Sequence, residues 1–172
     1  MNTTELVIKA KKGDSEAFGE LYSIYRSDLY RYALYLLGNS SDAEDAVQSA
    51  IIQAWKNLPR LNKSASFRSW LFKILTNVCK KMLSKRHLNI NIDDVAGEIS
   101  ITDNDIALKM SLETALKALN DEEREIIFLS VLDNITSNEI GKIIGKKPTT
   151  VRSILSRGLK KLRDNLQTGE MV

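Results

Sequence analysis

The sequence predicts an all-α protein in which two small helical domains are joined by a flexible acidic linker and the C-terminal domain is a helix-turn-helix. Apolar residues recur every three or four positions over most of the 172 residues, which is the period of an amphipathic helix. Only 2 Pro and 8 Gly interrupt this pattern. Between residues 88 and 105 the period is lost, and Asn, Asp and Gly accumulate. We therefore expect domains over residues 1–88 and 108–168, with residues 89–107 as the linker.

The first two helices are marked by glycines and a cap. The stretch 6–12 predicts a short helix that Gly13 stops, and Asp14 then precedes a long amphipathic series. That series ends at Gly38 and Asn39, which are residue types that commonly terminate helices. The spacing therefore predicts a short helix followed by a long one.

The next two helices flank a polar loop. Ser41 and Glu44 form a capping box that predicts the start of a third helix, and Pro59 should stop it. Residues 60–66 are interpreted as a polar loop, and Ser66 can cap a fourth helix. The apolar stripe of that helix consists of Phe67, Trp70, Leu71, Ile74, Leu75, Val78 and Met82. Its opposite face is basic and polar, with Lys73, Asn77, Lys80, Lys81 and Ser84.

Charge is distributed in blocks along the chain. Residues 60–87 carry 8 Lys and Arg and no Asp or Glu, whereas residues 88–108 carry 5 Asp and Glu and no Lys or Arg. Residues 137–163 are again basic, with 8 Lys and Arg against the single acid Glu139. Two separated basic blocks favour two contacts with a polyanion such as nucleic acid. The pattern leaves open the alternative of two solvated helix faces.

The second domain is expected to open with two helices before the second basic block. Helical spacing resumes in the series Leu108, Leu112, Ala115, Leu116 and Leu119. Asn120 with Glu123 then restarts a helix, and Asp133 and Asn134 turn the chain.

The second basic block contains a helix-turn-helix pattern. Thr136 and Glu139 form a capping box, and Gly145 ends the short helix that they open. Pro148 suits the first position of the next helix, and Gly141 lies where the two helices must approach closely. Expected packing positions in the second helix are Val151, Ile154, Leu155, Leu159 and Leu162, whereas Lys160, Lys161 and Arg163 suit backbone phosphates. A basic helical hairpin without a role in DNA binding is the alternative.

One Cys and one His limit the chemistry that the chain can perform. A single Cys excludes an internal disulfide, and the two residues leave little for a zinc site or a catalytic triad. We expect no cofactor, no metal and no enzymatic activity. Cys79 is interpreted as a small core residue, and His87 as a surface or DNA-contacting one. The longest apolar run, 32–37, is too short to span a bilayer and no signal peptide is recognised, which favours a soluble cytoplasmic protein.

Three stretches of the chain, in order, resemble the extracytoplasmic-function (ECF) sigma factors of bacterial RNA polymerase. The stretch LGNSSDAEDAVQSAIIQAWKNL (37–58) looks like the family's polymerase-binding helix. The stretch SFRSWLFKILTNVCKKMLSKRH (66–87) looks like the helix that opens and reads the −10 promoter element. The stretch ALNDEEREIIFLSVLDNITSNEIGKIIGKKPTTVRSILSRGLKKLR (118–163) looks like the domain that reads the −35 element. Together they span almost the whole chain.

The resemblance implies a promoter-recognition mechanism without covalent chemistry. The first domain would bind core RNA polymerase, at the clamp coiled coil of the largest subunit, and capture melted −10 DNA, while the second reads −35 duplex DNA. The implied polymerase-binding residues are Asp42, Glu44, Asp45, Gln48, Ile52 and Trp55. The implied −10 residues are Arg60, Lys63, Ser64, Lys73, Asn77, Lys80, Lys81 and Arg86, with a flipped base held by the loop. The implied −35 residues are Lys146, Lys147, Thr149, Thr150, Arg152, Ser153, Ser156 and Arg157.

Some assignments stay open. Phe67, Trp70 and Trp55 fit core packing better than base stacking or an interface. Ile154 replaces a basic residue of many relatives, and Gly158 replaces their Ala, which can weaken the helix by up to about 1 kcal/mol. The resemblance also implies an anti-sigma factor that covers the DNA- and polymerase-binding faces, although nothing in the chain identifies it. The rival interpretation is a stand-alone helix-turn-helix regulator of transcription, which accounts for the C-terminal motif but not for the two preceding stretches.

Overall fold

The structure, a computed structural model, describes residues 2–89, 114–132 and 135–169. Every regular element within these ranges is a helix, so the all-α prediction is confirmed. The chain divides into two compact units, one centred on the helices before residue 90 and the other on those after residue 113. The predicted linker, apart from its first residue, and the predicted packing positions Leu108 and Leu112 lie outside the described residues.

Within residues 2–89 the first unit contains four α-helices. Two short 3-10 turns, Leu58–Arg60 and Ser64–Ser66, shape the segment that the sequence marks as a polar loop. The second of these turns leads directly into the fourth helix. The helices are α1 (Thr3–Lys11), α2 (Ser15–Leu37), α3 (Ser40–Asn57) and α4 (Phe67–Asn89).

Large side chains fill the core of the first unit. Phe67, Phe72 and Leu75 of α4 are at most 1% exposed, and α4 packs against both α2 and α3. The ring of Phe72 lies 5.9 Å from that of Tyr32 on α2, a distance typical of aromatic pairs in cores. Thr76 donates its hydroxyl to the carbonyl oxygen of Phe72 at 2.8 Å. One face of α4 is therefore anchored along its length, which leaves the opposite face to solvent.

Local sequence explains where these helices begin and end, with two corrections, the first being that α1, predicted over residues 6–12, begins at Thr3 after the cap residue Asn2. Asp14 accepts a hydrogen bond from the backbone N–H of Ala17 at 3.0 Å and caps α2, as predicted. Gly38 ends that helix with φ +78°, a conformation that glycine adopts without strain. The predicted capping box at Ser41 is wrong, because Asn39 caps α3 by accepting from the N–H of Asp42 at 2.8 Å. The third helix therefore begins at Ser40.

The second unit contains the predicted helix-turn-helix. A helical segment at residues 114–117 precedes α5 (Asp121–Val131), α6 (Ser137–Ile144) and α7 (Pro148–Gly169). The capping boxes at Asn120 and Thr136 are both present, which confirms the two predicted starts. The predicted turn at residues 133–134 lies outside the described residues.

Two glycines form the turn between α6 and α7. Gly145 ends α6 at φ +76°, and the N–H of Lys146 donates to the carbonyl oxygen of Gly141 at 2.8 Å. A Cβ atom on Gly141 would lie 2.5 Å from the carbonyl oxygen of Lys146, closer than real contacts allow. The predicted close approach at Gly141 is therefore confirmed, and it takes place between backbone segments.

The packing face of α7 differs from the prediction at two positions. Val151 and Ile154 are buried as expected, but Leu159 is 44% exposed, so its predicted burial is wrong. Gly158 is buried, and a Cβ atom there would lie 2.8 Å from Cδ1 of Ile127 on α5. The glycine therefore does more than weaken the helix, because it lets α7 approach α5 closely.

Candidate nucleic-acid interface

The outer face of α4 presents a row of polar and basic side chains. Lys73, Asn77, Lys80 and Lys81 are all exposed, while Leu75 and Cys79 between them are buried. The row follows the three- and four-residue steps of one helix face. An amide flanked by ammonium groups can hydrogen-bond a base edge while its neighbours hold phosphates. Four of the predicted −10 residues are therefore brought together on one surface.

The loop before α4 is held by its backbone and leaves its cations exposed. Arg60 and Lys63 are exposed and Ser64 is half-buried, while Leu61 between them is buried. Lys11 of α1 donates its ammonium to the carbonyl oxygen of Leu61 at 2.5 Å. The loop is thus pinned at Leu61, an anchor that the sequence does not reveal because the two residues are far apart in the chain.

Arg86 has protein partners at the corner between α2 and α3. Its guanidinium forms an ion pair with the carboxylate of Asp42 and donates to the carbonyl oxygen of Leu37 at 3.2 Å. Asn39 also donates its amide to Asp42, at 2.8 Å. Arg86 and Asp42, predicted to contact DNA and polymerase respectively, are therefore bound to each other in this structure.

The outer face of α3 is exposed and mixed in character. Glu44, Asp45, Gln48 and Ile52 are exposed, and Ile52 keeps 55% of its surface accessible. A single exposed apolar side chain among polar neighbours is normal on a protein surface and does not by itself mark an interface. Trp55 is partly packed in the core and partly exposed. Its ring lies 4.9 Å from that of Phe18, and 36% of its surface is accessible.

A groove of about 530 Å³ runs beside this face. The residues of its α2 wall were not among the predicted site residues. Tyr22, Arg26 and Tyr30 of α2 form one wall, at steps of four residues that place them on one helix face. The same spacing is the signal that could have identified them. The lining is Tyr22, Arg26, Ser27, Tyr30, Glu44, Val47 and Gln48.

In the second unit the N-terminal half of α7 presents the predicted −35 residues. The side chains of Thr149, Thr150, Arg152, Ser153, Ser156 and Arg157 are all exposed. They alternate with Val151 and Ile154, which are buried. The burial of Ile154 confirms its interpretation as a packing residue rather than a DNA contact. Short hydroxyls and guanidinium groups on the exposed part of a recognition helix are suited to base edges and phosphates in a major groove.

Two cations of this motif have carboxylate partners on α5. Lys146 lies 2.6 Å from Glu122, and Lys161 donates to both oxygens of Glu123 at 2.9 Å. The side chain of Glu123 is only 4% exposed. Hydrogen bonds from Lys161 and from the backbone N–H of Asn120 lower the pKa of Glu123 below its usual value of 4.5. Lys147, by contrast, is exposed on the turn.

Two residues with alternative interpretations, Phe67 and Cys79, prove to be structural. Phe67 is 1% exposed, and its ring lies 5.9 Å from that of the half-buried Trp70, which confirms core packing for Phe67. Cys79 is fully buried, and this burial raises the pKa of its thiol to about 11, which confirms a core role. No group of three or more His, Cys, Asp or Glu in the described parts of the chain could hold a metal ion.

Fold and surface together define a helical DNA-binding transcription protein with a C-terminal helix-turn-helix. The family model described as Sigma-70 region 2 matches residues 21–88, and the model described as Sigma-70, region 4 matches residues 109–162. The chain is 30% identical to the ECF RNA polymerase sigma factor SigW of Bacillus subtilis, over 95% of this chain and 98% of that protein. It belongs to the ECF family of RNA polymerase sigma factors and is an alternative sigma factor.

Further comparisons agree with this family. The ECF sigma factor SigE of Mycolicibacterium smegmatis is 32% identical, over 90% of this chain and 64% of that protein. CnrH, solved with the cytosolic domain of CnrY, shares the fold at a TM-score of 0.72 with 22% identity, covering 96% of this chain and 97% of its own. Helices long and apolar enough to cross a membrane are absent from the residues that the structure describes.

Proposed function

We propose that this sigma factor docks on core RNA polymerase through α3 and reads its promoter with two separately supported helices, α4 for the −10 element and α7 for the −35 element. The observation that supports this division is common to α4 and α7. Each has a buried stripe that fixes it in its own unit and an exposed polar face that carries the candidate DNA contacts. As an initiation factor it supplies recognition rather than catalysis, and it acts in the cytoplasm, where polymerase transcribes.

The −10 contacts divide into base-reading and backbone-holding groups. Asn77 has both a donor and an acceptor and lies in the middle of the exposed row on α4. The cations Lys73, Lys80 and Lys81 around it would hold the phosphates of one strand. The loop, with Arg60, Lys63 and Ser64, would receive the flipped base, because an unstacked base exposes all of its edges and its extrusion begins strand separation.

The −35 contacts lie on the N-terminal half of α7 and on the preceding turn. Thr149, Thr150 and Ser153 have short side chains that can lie against base edges or phosphates without much loss of rotamer entropy. Arg152 and Arg157 can make two parallel hydrogen bonds to guanine or to a phosphate. We assign Lys147 to a phosphate near the turn. Lys146 can bind a phosphate beside Lys147 only if its ion pair with Glu122 breaks.

The polymerase surface is proposed to be α3 together with the α2 wall of the neighbouring groove. Exposed Asp45, Glu44 and Gln48 provide charge and hydrogen bonds, and Ile52 provides apolar area. Its partner would be the clamp coiled coil of the largest subunit. Trp55 contributes at the edge, because part of its ring is already packed on Phe18.

An anti-sigma factor is proposed as the regulatory partner. RpoE of Bartonella quintana, solved with the anti-sigma factor NepR, shares this fold at a TM-score of 0.68 with 24% identity over 87% of this chain and 96% of its own. Such a partner would cover the exposed faces of α3 and α4. Co-purification from the host, under inducing and non-inducing conditions, should recover it. Failure to recover any stoichiometric partner under either condition would contradict this part of the proposal.

Run-off transcription on genomic templates from the host tests the main proposal. Core polymerase with the purified chain should give new start sites that share a bipartite −10/−35 sequence. Asn77→Ala should abolish those starts while leaving core binding intact, because it removes only the base-reading amide. Asn165→Ala is the matched control, since its amide donates to the carbonyl oxygen of Lys161 at the far end of α7. Tight sequence-specific duplex binding without any core binding would instead establish a stand-alone regulator.

A further inference from the structure

Two adjacent lysines in the second basic block have different surroundings. Lys160 is exposed on the outer side of α7. Lys161 faces α5, where its ammonium lies 2.9 Å from each carboxylate oxygen of Glu123. Sequence reasoning gave both lysines the same role as phosphate contacts. The structure separates them, because only one of the two is bound to a nearly inaccessible acid.

Glu123 is itself fixed to the start of α5. Its carboxylate accepts from the backbone N–H of Asn120 at 3.0 Å, and its own N–H donates to the side-chain oxygen of Asn120 at 2.8 Å. This reciprocal capping box leaves the carboxylate little freedom to follow a moving partner. Lys161 therefore ties α7 to a rigid point on α5.

The tie lies beside a close contact between the two helices. Gly158 is one turn before Lys161 on α7, and a Cβ atom there would lie 3.5 Å from Cβ of Glu123. That distance is ordinary van der Waals contact, whereas Cδ1 of Ile127, at 2.8 Å from the same Cβ position, would have to move if a side chain were added. The ion pair and Gly158 therefore lie at the same crossing of α5 and α7. The ion pair attracts the two helices, and the missing side chain of Gly158 leaves room for them to pack.

The burial of Glu123 disfavours the binding of Lys161 to a DNA phosphate. If a DNA phosphate took Lys161, the carboxylate of Glu123 would remain almost fully buried without its cation, which is strongly unfavourable. Exposed cations on the same helix, such as Lys160, can bind a phosphate without that cost. Although the side chain of Lys161 is itself 47% exposed, its ammonium is consequently assigned to the buried carboxylate of Glu123 rather than to a phosphate.

We propose that Glu123 is a positioning residue for promoter recognition: through Lys161 it fixes the angle at which α7 presents its −35 contacts, and Lys161 does not bind phosphate. The inference rests on the proposed reading of −35 duplex DNA by α7. It predicts that substitution of Lys161 impairs recognition by letting the helix move rather than by removing a DNA contact.

The salt dependence of promoter binding distinguishes these roles. Affinity of the reconstituted holoenzyme for a duplex promoter fragment identified by run-off would be measured over a series of KCl concentrations. Each phosphate contact contributes about 0.9 to the slope of log affinity against log salt. Lys161→Met should leave the slope at the wild-type value while weakening binding. A slope reduced by about 0.9 in Lys161→Met would show that Lys161 binds phosphate and would overturn the proposal.

Lys160→Met is the matched control, since it removes the same charge from the adjacent position. Rescue experiments separate positioning from simple loss of charge. Lys161→Arg, which can still pair with Glu123, should restore the affinity. The double variant Glu123→Gln with Lys161→Met should bind more tightly than Lys161→Met alone, because no unpaired buried charge remains. Failure of both rescues would overturn the proposal.

Discrimination between the native −35 element and one with a substituted base pair should fall in Lys161→Met and stay at the wild-type level in Lys160→Met. Equal discrimination in Lys161→Met and wild type would contradict a positioning role. If the wild-type holoenzyme itself shows no dependence on the −35 element, the failure belongs to the proposed function rather than to the positioning of α7.

Discussion

The two helices that are proposed to read DNA are supported by different physical means. In the first unit α4 rests on large buried side chains such as Phe67, Phe72 and Leu75. In the second unit α7 buries smaller side chains at Val151 and Ile154, and it gains its closest contact through Gly158 and an ion pair. A helix that packs through large buried side chains should keep its stability when a surface charge changes. A helix that packs through a close backbone approach and an ion pair should lose stability when the pH falls or when a single methyl group is added.

Truncation of an aromatic side chain in the first unit should have the largest effect. Phe72→Ala removes a ring that packs against Tyr32, and we expect the free energy of unfolding to fall by about 3–5 kcal/mol. Tryptophan fluorescence during urea denaturation checks this, since both Trp residues, 55 and 70, lie in the first unit. Lys73→Ala, on the exposed side of the same helix, should change stability by less than about 0.5 kcal/mol. Equal losses would contradict the division of α4 into a buried and an open face.

One added methyl group should have the next largest effect, and in the second unit. Gly141→Ala forces a Cβ atom toward the backbone carbonyl of Lys146, so we expect a loss of about 1–3 kcal/mol. Far-UV circular dichroism should show this loss without a change in the tryptophan transition. Gly19→Ala is the control: Gly19 lies within α2 with no atom near its missing Cβ, and the change should stabilise by about 0.5–1 kcal/mol. A stabilised Gly141→Ala protein would show that the close approach is absent in solution.

Acid should act on the second unit through Glu123. Its folded-state pKa lies below the ordinary value of 4.5, so its ionisation stabilises the fold fully above that value. This stabilisation is lost as the pH falls through the lower folded-state pKa. Circular dichroism melts between pH 6 and pH 3 should therefore show a falling midpoint, with Glu123→Gln showing a smaller fall. If the variant and the wild type fall in parallel, other carboxylates cause the change.

The smallest expected effect concerns the ion pair in the first unit. Asp42→Asn removes the carboxylate that binds Arg86, and because both groups are partly exposed we expect a loss of about 1 kcal/mol or less. The tryptophan transition should move slightly, and less at high salt, since salt screens the pair. Glu44→Gln, which changes an exposed acid two residues away on the same helix, should leave the transition unchanged. A loss as large as that of Phe72→Ala would contradict the view that large buried side chains, rather than ion pairs, stabilise the first unit.

Local signals in the sequence predict most helix starts and which candidate site residues are exposed, and they fail where residues distant in the chain decide the outcome. The caps at Asp14, Asn120 and Thr136 were predictable because each depends on residues within one turn. Asn39 and Ser41 are both good cap residue types, and only the backbone shows which one takes the N-cap position. Helical spacing also assigned Leu159 to the core, because a period shows which face is apolar but not whether another element covers it.

Cations were the hardest residues to assign. A basic block predicts an affinity for polyanions but not which of its members already have a carboxylate partner. Arg86 finds Asp42 across 44 residues of sequence, and Lys161 finds Glu123 across 38. Such pairings depend on tertiary packing, so periodicity and charge counts cannot supply them.

The alternation of reading and packing residues along α7 bears on how the promoter preference of such a protein can change. Thr149, Thr150, Arg152 and Ser153 are exposed, and the residues that hold the helix, Val151 and Ile154, stand between and beside them. If α7 reads the −35 element as proposed, substitutions at the exposed positions should alter what is read with little effect on the fold. New target sequences are therefore accessible by single mutations that are nearly neutral for stability, and a duplicated copy of this chain could acquire a separate regulon while keeping the same scaffold.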